Sequence, residues 1–443
     1  MATDASLPER LRRWLGSDTD ATSLAIFRLG FGLIATFAAV RFMALGWIET
    51  LVAAPVWHFV WVPGVVEPSI PVLYGLFIVQ ALAGLAFAAG ALVPGRHRLL
   101  HALLGPAALV AWLACFVYVE LIDKSLYLNH YVLFTVLGVV LLASPLHRIH
   151  LGGAAPSWVL QLLRAQVALV YFWAGFAKIN ADWLLRGEPL VTWLQALGGV
   201  PGIGPLLAHD ALAIGMSWGG MLYDLFVPLL LLWPRTRLLG VVLVVGFHVA
   251  VGTLFPIGIF PLLMVVSATL LLAPDWPQRL GLRLPTAADL RRAVLPLPGT
   301  AVWLVVLAVT ALFPARFLLY GLDVSWTERG HRFAWRVLLN EKTGMVDYRV
   351  VDRSSGKVWR VSPASELTPI QHEQMRTQPD MIRQYALHLR DLHAAEGRDV
   401  AVYADSWASL NGRPAQRFVD PSVDLTQTRS DLWSQGWITP LQE

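Results

Sequence analysis

The sequence predicts a polytopic α-helical membrane protein of about nine transmembrane helices, followed by a small α+β extracytoplasmic domain. Three observations predict this. Of the 443 residues, 56% are hydrophobic and only 14% charged, whereas soluble domains carry about a quarter charged residues. Mean hydropathy is +0.57. Apolar runs of spanning length recur up to about residue 320, after which charge density rises and the runs shorten. The expected organisation is a cytoplasmic N-terminal segment over 1–23, a membrane domain over 24–320 and an extracytoplasmic domain over 321–443.

A span needs roughly 20 apolar residues. The candidates in order are Leu24–Leu45, Pro71–Val93, Leu99–Val119, Tyr127–Ser144, Trp158–Lys178, Leu212–Trp233, Leu238–Leu254, Ile257–Ala273 and Ala301–Leu319. Arginines mark alternate connections: Arg10, Arg12 and Arg13 before the first span, then Arg96 and Arg98, Arg148, Arg235 and Arg237, and Arg279, Arg283, Arg291 and Arg292. The intervening connections, Trp47–Ile70, Glu120–Leu126 and Asn180–Ala211, are poorer in Lys and Arg. Basic loops stay on the cytoplasmic side, so the pattern places the N-terminus inside and the C-terminus outside. The first apolar stretch runs too far for a cleavable signal peptide and meets Arg41.

Past the last span, Met345–Val361 alternates as a hairpin does, around Ser354-Ser355-Gly356. Thr368–Ala395 has the spacing of one amphipathic helix. Val400–Ser406 and Ala415–Val419 flank an Asn411-Gly412 turn. The net charge of +4 is scattered, with no basic block of the kind that binds nucleic acid. One cysteine, Cys115, permits neither an intramolecular disulfide nor a cysteine-based metal site, and no metal is expected.

Ionisable groups inside spans are costly and are default site candidates. They are Arg28, Arg41, His130, Arg164, Lys178, Asp224 and His248. Arg28, near one end of the first span, reads as snorkelling to headgroups. Arg164 and Asp224, counted from their span ends, fall at similar depth and are expected to form a structural ion pair. His130 and Lys178 both fall at the outer boundary, where a histidine or lysine is either an interfacial anchor or a reactive group. A desolvated lysine is neutral more often and then serves as a general base, with Asn129 and His130 placed to hydrogen-bond an oxyanion opposite it. Asp182, four residues on, would hold Lys178 charged unless it faces the aqueous loop.

Five stretches of the membrane part carry a resemblance: Ser23–Gly32; Leu121–Tyr131, containing Asp123-Lys124-Ser125 and Asn129-His130; Val170–Trp183, ending in Phe176-Ala177-Lys178-Ile179-Asn180-Ala181-Asp182-Trp183; Phe247-His248 with Leu254–Pro261; and Ala273–Pro277. Gln384-Tyr385-Ala386, Tyr403–Asn411 and Phe418–Leu425 continue it. In these the chain resembles the vitamin K-dependent gamma-glutamyl carboxylases and their bacterial relatives, which share the horizontally transferred transmembrane domain.

The resemblance implies that reduced vitamin K (menaquinol or phylloquinol), dioxygen and carbon dioxide are co-substrates. A lysine matching Lys178 deprotonates the naphthoquinol, and dioxygen adds to the anion. The resulting alkoxide takes a γ proton from a glutamyl side chain, and carbon dioxide captures the carbanion while the quinone leaves as its epoxide. His130 matches the histidine that assists. Asn129, Tyr171, Trp183, His248 and Phe255, all in or beside these stretches, are expected to line the substrate site. Partners implied are the bilayer, a lipid quinol and a glutamyl protein or peptide.

Departures bear on which reaction survives. Animal members carry a second lysine where this chain has Ala177, they carry a lumenal disulfide, and they are longer at the C-terminus. A quinol oxygenase without protein carboxylation is therefore the alternative, and a non-catalytic scaffold the third reading. Lys178 and His130 together argue against the scaffold. The short tail, with no glycosylation sequon, suits a bacterial inner membrane.

Overall fold

The structure is a computed structural model, and it describes residues 6–320, 323–429 and 436–442. Among the described residues a short N-terminal helix, α1 (Leu7–Gly16), precedes nine apolar helices. Seven are long enough to cross a membrane: α2 (Thr22–Ala44), α3 (Ile70–Ala89), α4 (Arg98–Ile122), α6 (Ser157–Ala177), α7 (Asp210–Leu232), α8 (Arg237–Leu254) and α10 (Leu297–Leu319). Two are shorter than expected, α5 (Asn129–Leu142) and α9 (Phe260–Leu271). The 14 residues of α5 extend only about 21 Å at ~1.5 Å per residue. Both short helices begin at the wall of one recess in the bundle, at Asn129 and Phe260. Pro106 lies inside α4, where a π-helical turn, Leu103–Ala107, absorbs the missing donor.

The alternation of the connections holds in space. The basic ones gather with the N-terminus. There Asp18–Asp20 (β1) pairs antiparallel with Ala154–Pro156 (β2), Arg148 bridges to Asp18 at 2.6 Å, and the backbone of Asp18 bonds that of Arg291 at 2.9 Å. The connections poor in Lys and Arg meet the C-terminal domain on the opposite face.

That domain is a four-stranded antiparallel sheet of order β4-β3-β5-β6. Its strands are β3 (Lys342–Asp352), β4 (Val358–Val361), β5 (Val400–Leu410) and β6 (Gln416–Arg417). The hairpin and the Asn411-Gly412 turn form as the alternation predicts, with φ of 50° at Asn411 and 73° at Gly412, the signs of a type I′ turn. The expected single helix over Thr368–Ala395 is two, α11 (Pro369–Met375) and α12 (Pro379–Ala395). Pro379 starts the second, because proline disfavours helical backbone in the residue before it.

The two parts are packed together. Phe59, from the α2–α3 connection, is fully buried in the sheet-and-helix core with Tyr348, Tyr385 and Phe418. Gln371 donates to the Trp57 carbonyl at 2.8 Å and to Asp123 at 2.7 Å, and Lys124 donates to Gln384 at 2.9 Å.

Arg28 does not snorkel. It is 0% exposed and donates to the carbonyls of Phe87, Leu146, Ile149 and Leu104 at 2.7–3.1 Å. Four acceptors from three segments satisfy a group too costly to bury unpaired. Gly90 makes room for it, since a Cβ there would collide with the Arg28 guanidinium.

Candidate active site

Lys178 caps the C-terminus of α6. It lies well short of the N-terminal end of the neighbouring α7. Gly175 sits against the backbone of Leu225 on α7, where a Cβ would come within 3.0 Å of the Leu225 nitrogen. From that level α7 continues for roughly another 15 residues toward its N-terminus, about 22 Å, while α6 ends almost at once. The 181–209 connection therefore folds back over Lys178, which is 5% exposed.

The partner of Lys178 is Asp224. Its Nζ donates to Asp224 Oδ2 at 2.8 Å and to the Ala174 carbonyl at 3.2 Å, and lies 5.2 Å from the Trp183 ring centre. The expected Arg164–Asp224 ion pair is absent. Arg164 instead donates to the Leu270 and Leu272 carbonyls, at 2.7 and 2.5 Å, closing the C-terminal end of α9. Depth counted from span ends failed because α6 and α7 end at different levels.

Asp182 does face away from Lys178. Arg413 engages it with two bonds of 2.7 Å and Asn411 with one of 2.9 Å. Burial acts to raise this carboxyl, but the Arg413 and Asn411 bonds prevail and hold it below its ordinary value.

Around Lys178 lies a cavity of about 90 Å³, walled by Tyr171, Trp183, Asp224, His248, Phe255 and Phe260 among others. The Tyr171 hydroxyl is 3.2 Å from His248 Nε2. Trp183 donates to the Ser217 carbonyl at 2.6 Å, which fixes its ring over the lysine. His248 Nδ1 is buried with no hydrogen-bond partner among the described residues, a buried polar atom that native structures seldom leave unmet.

His130 and Asn129, at the start of α5, line an adjoining chamber of about 320 Å³. Phe260, Val337 and Leu338 border both spaces. His130 and Lys178 thus face neighbouring chambers across Phe260, whose ring centre is 5.8 Å from those of His130 and of His248. Asn129 accepts from Tyr127 at 2.9 Å and donates to the Arg336 carbonyl at 3.3 Å, tying the 331–340 strap over the recess. A third, mostly apolar space of about 330 Å³ meets the His130 chamber at Phe42, Trp47 and Tyr131 and contains none of the expected site residues.

Residues 17–276 match the HTTM domain, and residues 298–443 match the vitamin K-dependent gamma-carboxylase lumenal domain. The chain belongs to the vitamin K-dependent gamma-carboxylase family. No solved structure matches it. In this gamma-carboxylase family member, five expected residues (Lys178, Tyr171, Trp183, His248 and Phe255) share one cavity, and Asn129 and His130 share the next.

Sequence reasoning missed Asp224 as the partner of Lys178, Phe260 as the divider, and the strap. The strap's backbone is left-handed at Phe333, Trp335 and Leu338, with φ of 59°, 56° and 55°. Bulky residues adopt that region at a cost on the order of 1 kcal/mol or more each, and such strain concentrates at functional sites.

Proposed function

We propose that this protein is a vitamin K (naphthoquinol)-dependent gamma-glutamyl carboxylase, in which Lys178 deprotonates the quinol. The observation that carries this is the Lys178 amine, buried in the wall of a largely apolar cavity beside an unpartnered histidine nitrogen. A glutamyl γ proton is beyond the basicity of any side chain, so the base must come from a bound reagent in a water-poor site. Reduced vitamin K, oxidised by dioxygen to its epoxide, supplies that base strength when bound. The residues present fit the group: flat aromatic walls at Tyr171, Trp183 and Phe260, a hydrogen-bonding nitrogen at His248, and an amine within the same cavity.

The chain's own task is proton management. Lys178 and Asp224 face each other at 2.8 Å with one proton to share. When Asp224 holds it, the amine carries a free lone pair and takes the quinol proton. The ammonium formed then sits against the quinol anion, inside a site where charge attraction is weakly screened. Trp183 steadies the ammonium through its ring face. His130, whose ring nitrogens have no partner among the described residues, stands on the other side of Phe260 to hydrogen-bond the carboxyl substrate or its oxyanion.

The partners in this reading are the bilayer, a lipid quinol and a glutamyl protein or peptide, with carbon dioxide as the carboxyl source. The membrane is a bacterial inner membrane, with the N-terminus cytoplasmic and the domain from about residue 321 periplasmic. The clustering of arginine-rich connections on the face opposite that domain supports this orientation. Reduced menaquinone or phylloquinone, dioxygen, labelled carbon dioxide and a glutamyl peptide test the reaction. Epoxide together with label in the peptide is the expected result. Epoxide without label selects the oxygenase, and no epoxide removes both readings.

A further inference from the structure

We propose that the His130 chamber is a carboxylate site, in which Arg41 and Arg336 hold the γ-carboxylate of the substrate. The proposal rests on the carboxylase reading above. Both arginines line the chamber with His130 and Asn129, and neither Asp nor Glu is among its lining residues.

Arg41 lies in the last turn of α2. Its guanidinium packs on the Trp47 ring at 4.5 Å, and it has no hydrogen-bond acceptor or carboxylate partner among the described residues. Half-buried at the chamber wall, it keeps its donors open to an anionic ligand. Arg28 and Arg164, by contrast, are satisfied by carbonyls. Arg336 is 7% exposed. One of its Nη atoms donates to Ser325 at 3.0 Å, while its Nε is buried without a partner. Glu328 and Asp323 attract it from outside the chamber, and neither forms an ion pair with it.

The helices add to this field. The short α5 and α9 both begin at the chamber wall, at Asn129 and Phe260, and helix N-termini carry partial positive charge. Two arginines, two helix starts and no acid make a site for a dianion. The reaction requires one. The γ C–H proton leaves to the base supplied by the quinol, and its electron pair stays on carbon and forms the C–C bond to carbon dioxide. A single carboxylate thereby becomes two on the same carbon. The chamber borders the Lys178 cavity at Phe260, Val337 and Leu338, so base and carboxylate meet across that border.

The test uses the full chain in nanodiscs. Binding of a short glutamyl peptide and of its glutaminyl isostere is measured, with and without glutarate, and steady-state KM values are measured for peptide and for quinol. Wild type should bind the glutamyl peptide at least tenfold tighter than the isostere, and glutarate should displace it where neutral glutaramide does not. Arg41→Gln and Arg336→Gln should each raise the peptide KM about ten- to hundredfold, the loss of one charge-assisted hydrogen bond, with the quinol KM moving less than threefold. Arg41→Lys and Arg336→Lys should recover part of the loss. Equal binding of peptide and isostere by wild type would overturn the proposal, and so would a peptide KM unmoved in both glutamine variants. If wild type makes no epoxide yet binds glutarate through both arginines, the carboxylase reading fails and the anion site stands.

Discussion

Removing the carboxylate from the Lys178–Asp224 pair tests the centre of the site. At 2.8 Å and an effective dielectric of ~20, the attraction is about 6 kcal/mol. Desolvating the two ions opposes most of that gain. A mutation therefore reads the penalty of leaving one buried charge unpaired, about 3–5 kcal/mol. Asp224→Asn and Lys178→Met should each destabilise by that order, and the double variant should recover most of it, since no charge is then left alone. The assay is a double-mutant cycle of unfolding free energies, from detergent titration followed by tryptophan fluorescence at fixed pH. Single losses that add to the double within ~0.5 kcal/mol would show the two groups to be independent and refute the pairing.

Other outcomes follow from the same geometry. Arg28→Ala should cost more than about 3 kcal/mol, because four buried carbonyls lose their donor at ~1 kcal/mol or more each. Equal unfolding midpoints for variant and wild type would contradict this. Phe59→Ala should loosen the C-terminal domain from the bundle at a cost of about 3–5 kcal/mol, read as faster proteolysis of the domain junction, and unchanged proteolysis would count against the packing. Asp182 is held below its ordinary value, so its contribution is complete above the unfolded value of ~3.9. That contribution is lost as pH falls through the folded value. Hydrogen exchange in the Asn411 turn should therefore rise at acid pH in wild type, and be already high and less pH-dependent in Asp182→Asn. Matching profiles for the two would contradict the role given to Arg413.

The sequence carried the helices because spans are long and apolar, and it carried the hairpins because strand alternation and the Asn411-Gly412 turn are local signals. Lys178, His130 and their neighbours were legible as charges and aromatics that a membrane tolerates only with reason. The partner of Lys178 was not legible. Pairing across α6 and α7 depends on where each helix ends in space, and Gly175 sets that crossing through a close approach no spacing rule encodes. Arg164 showed the same failure from the other side: backbone carbonyls, invisible in a residue list, satisfied it. The strap over Val337 and Leu338 was hidden because bulky residues in left-handed backbone give no local signature.

The role of Lys178 is tested most directly by the rate of epoxide formation from reduced naphthoquinone and dioxygen by wild type and by Lys178→Ala, in nanodiscs, with proper folding of both verified. Loss of the amine should lower the rate by about 10²–10⁴, the usual contribution of a positioned base. An external primary amine should restore part of it. Epoxide formed by Lys178→Ala at the wild-type rate would contradict the assignment of Lys178 as the base.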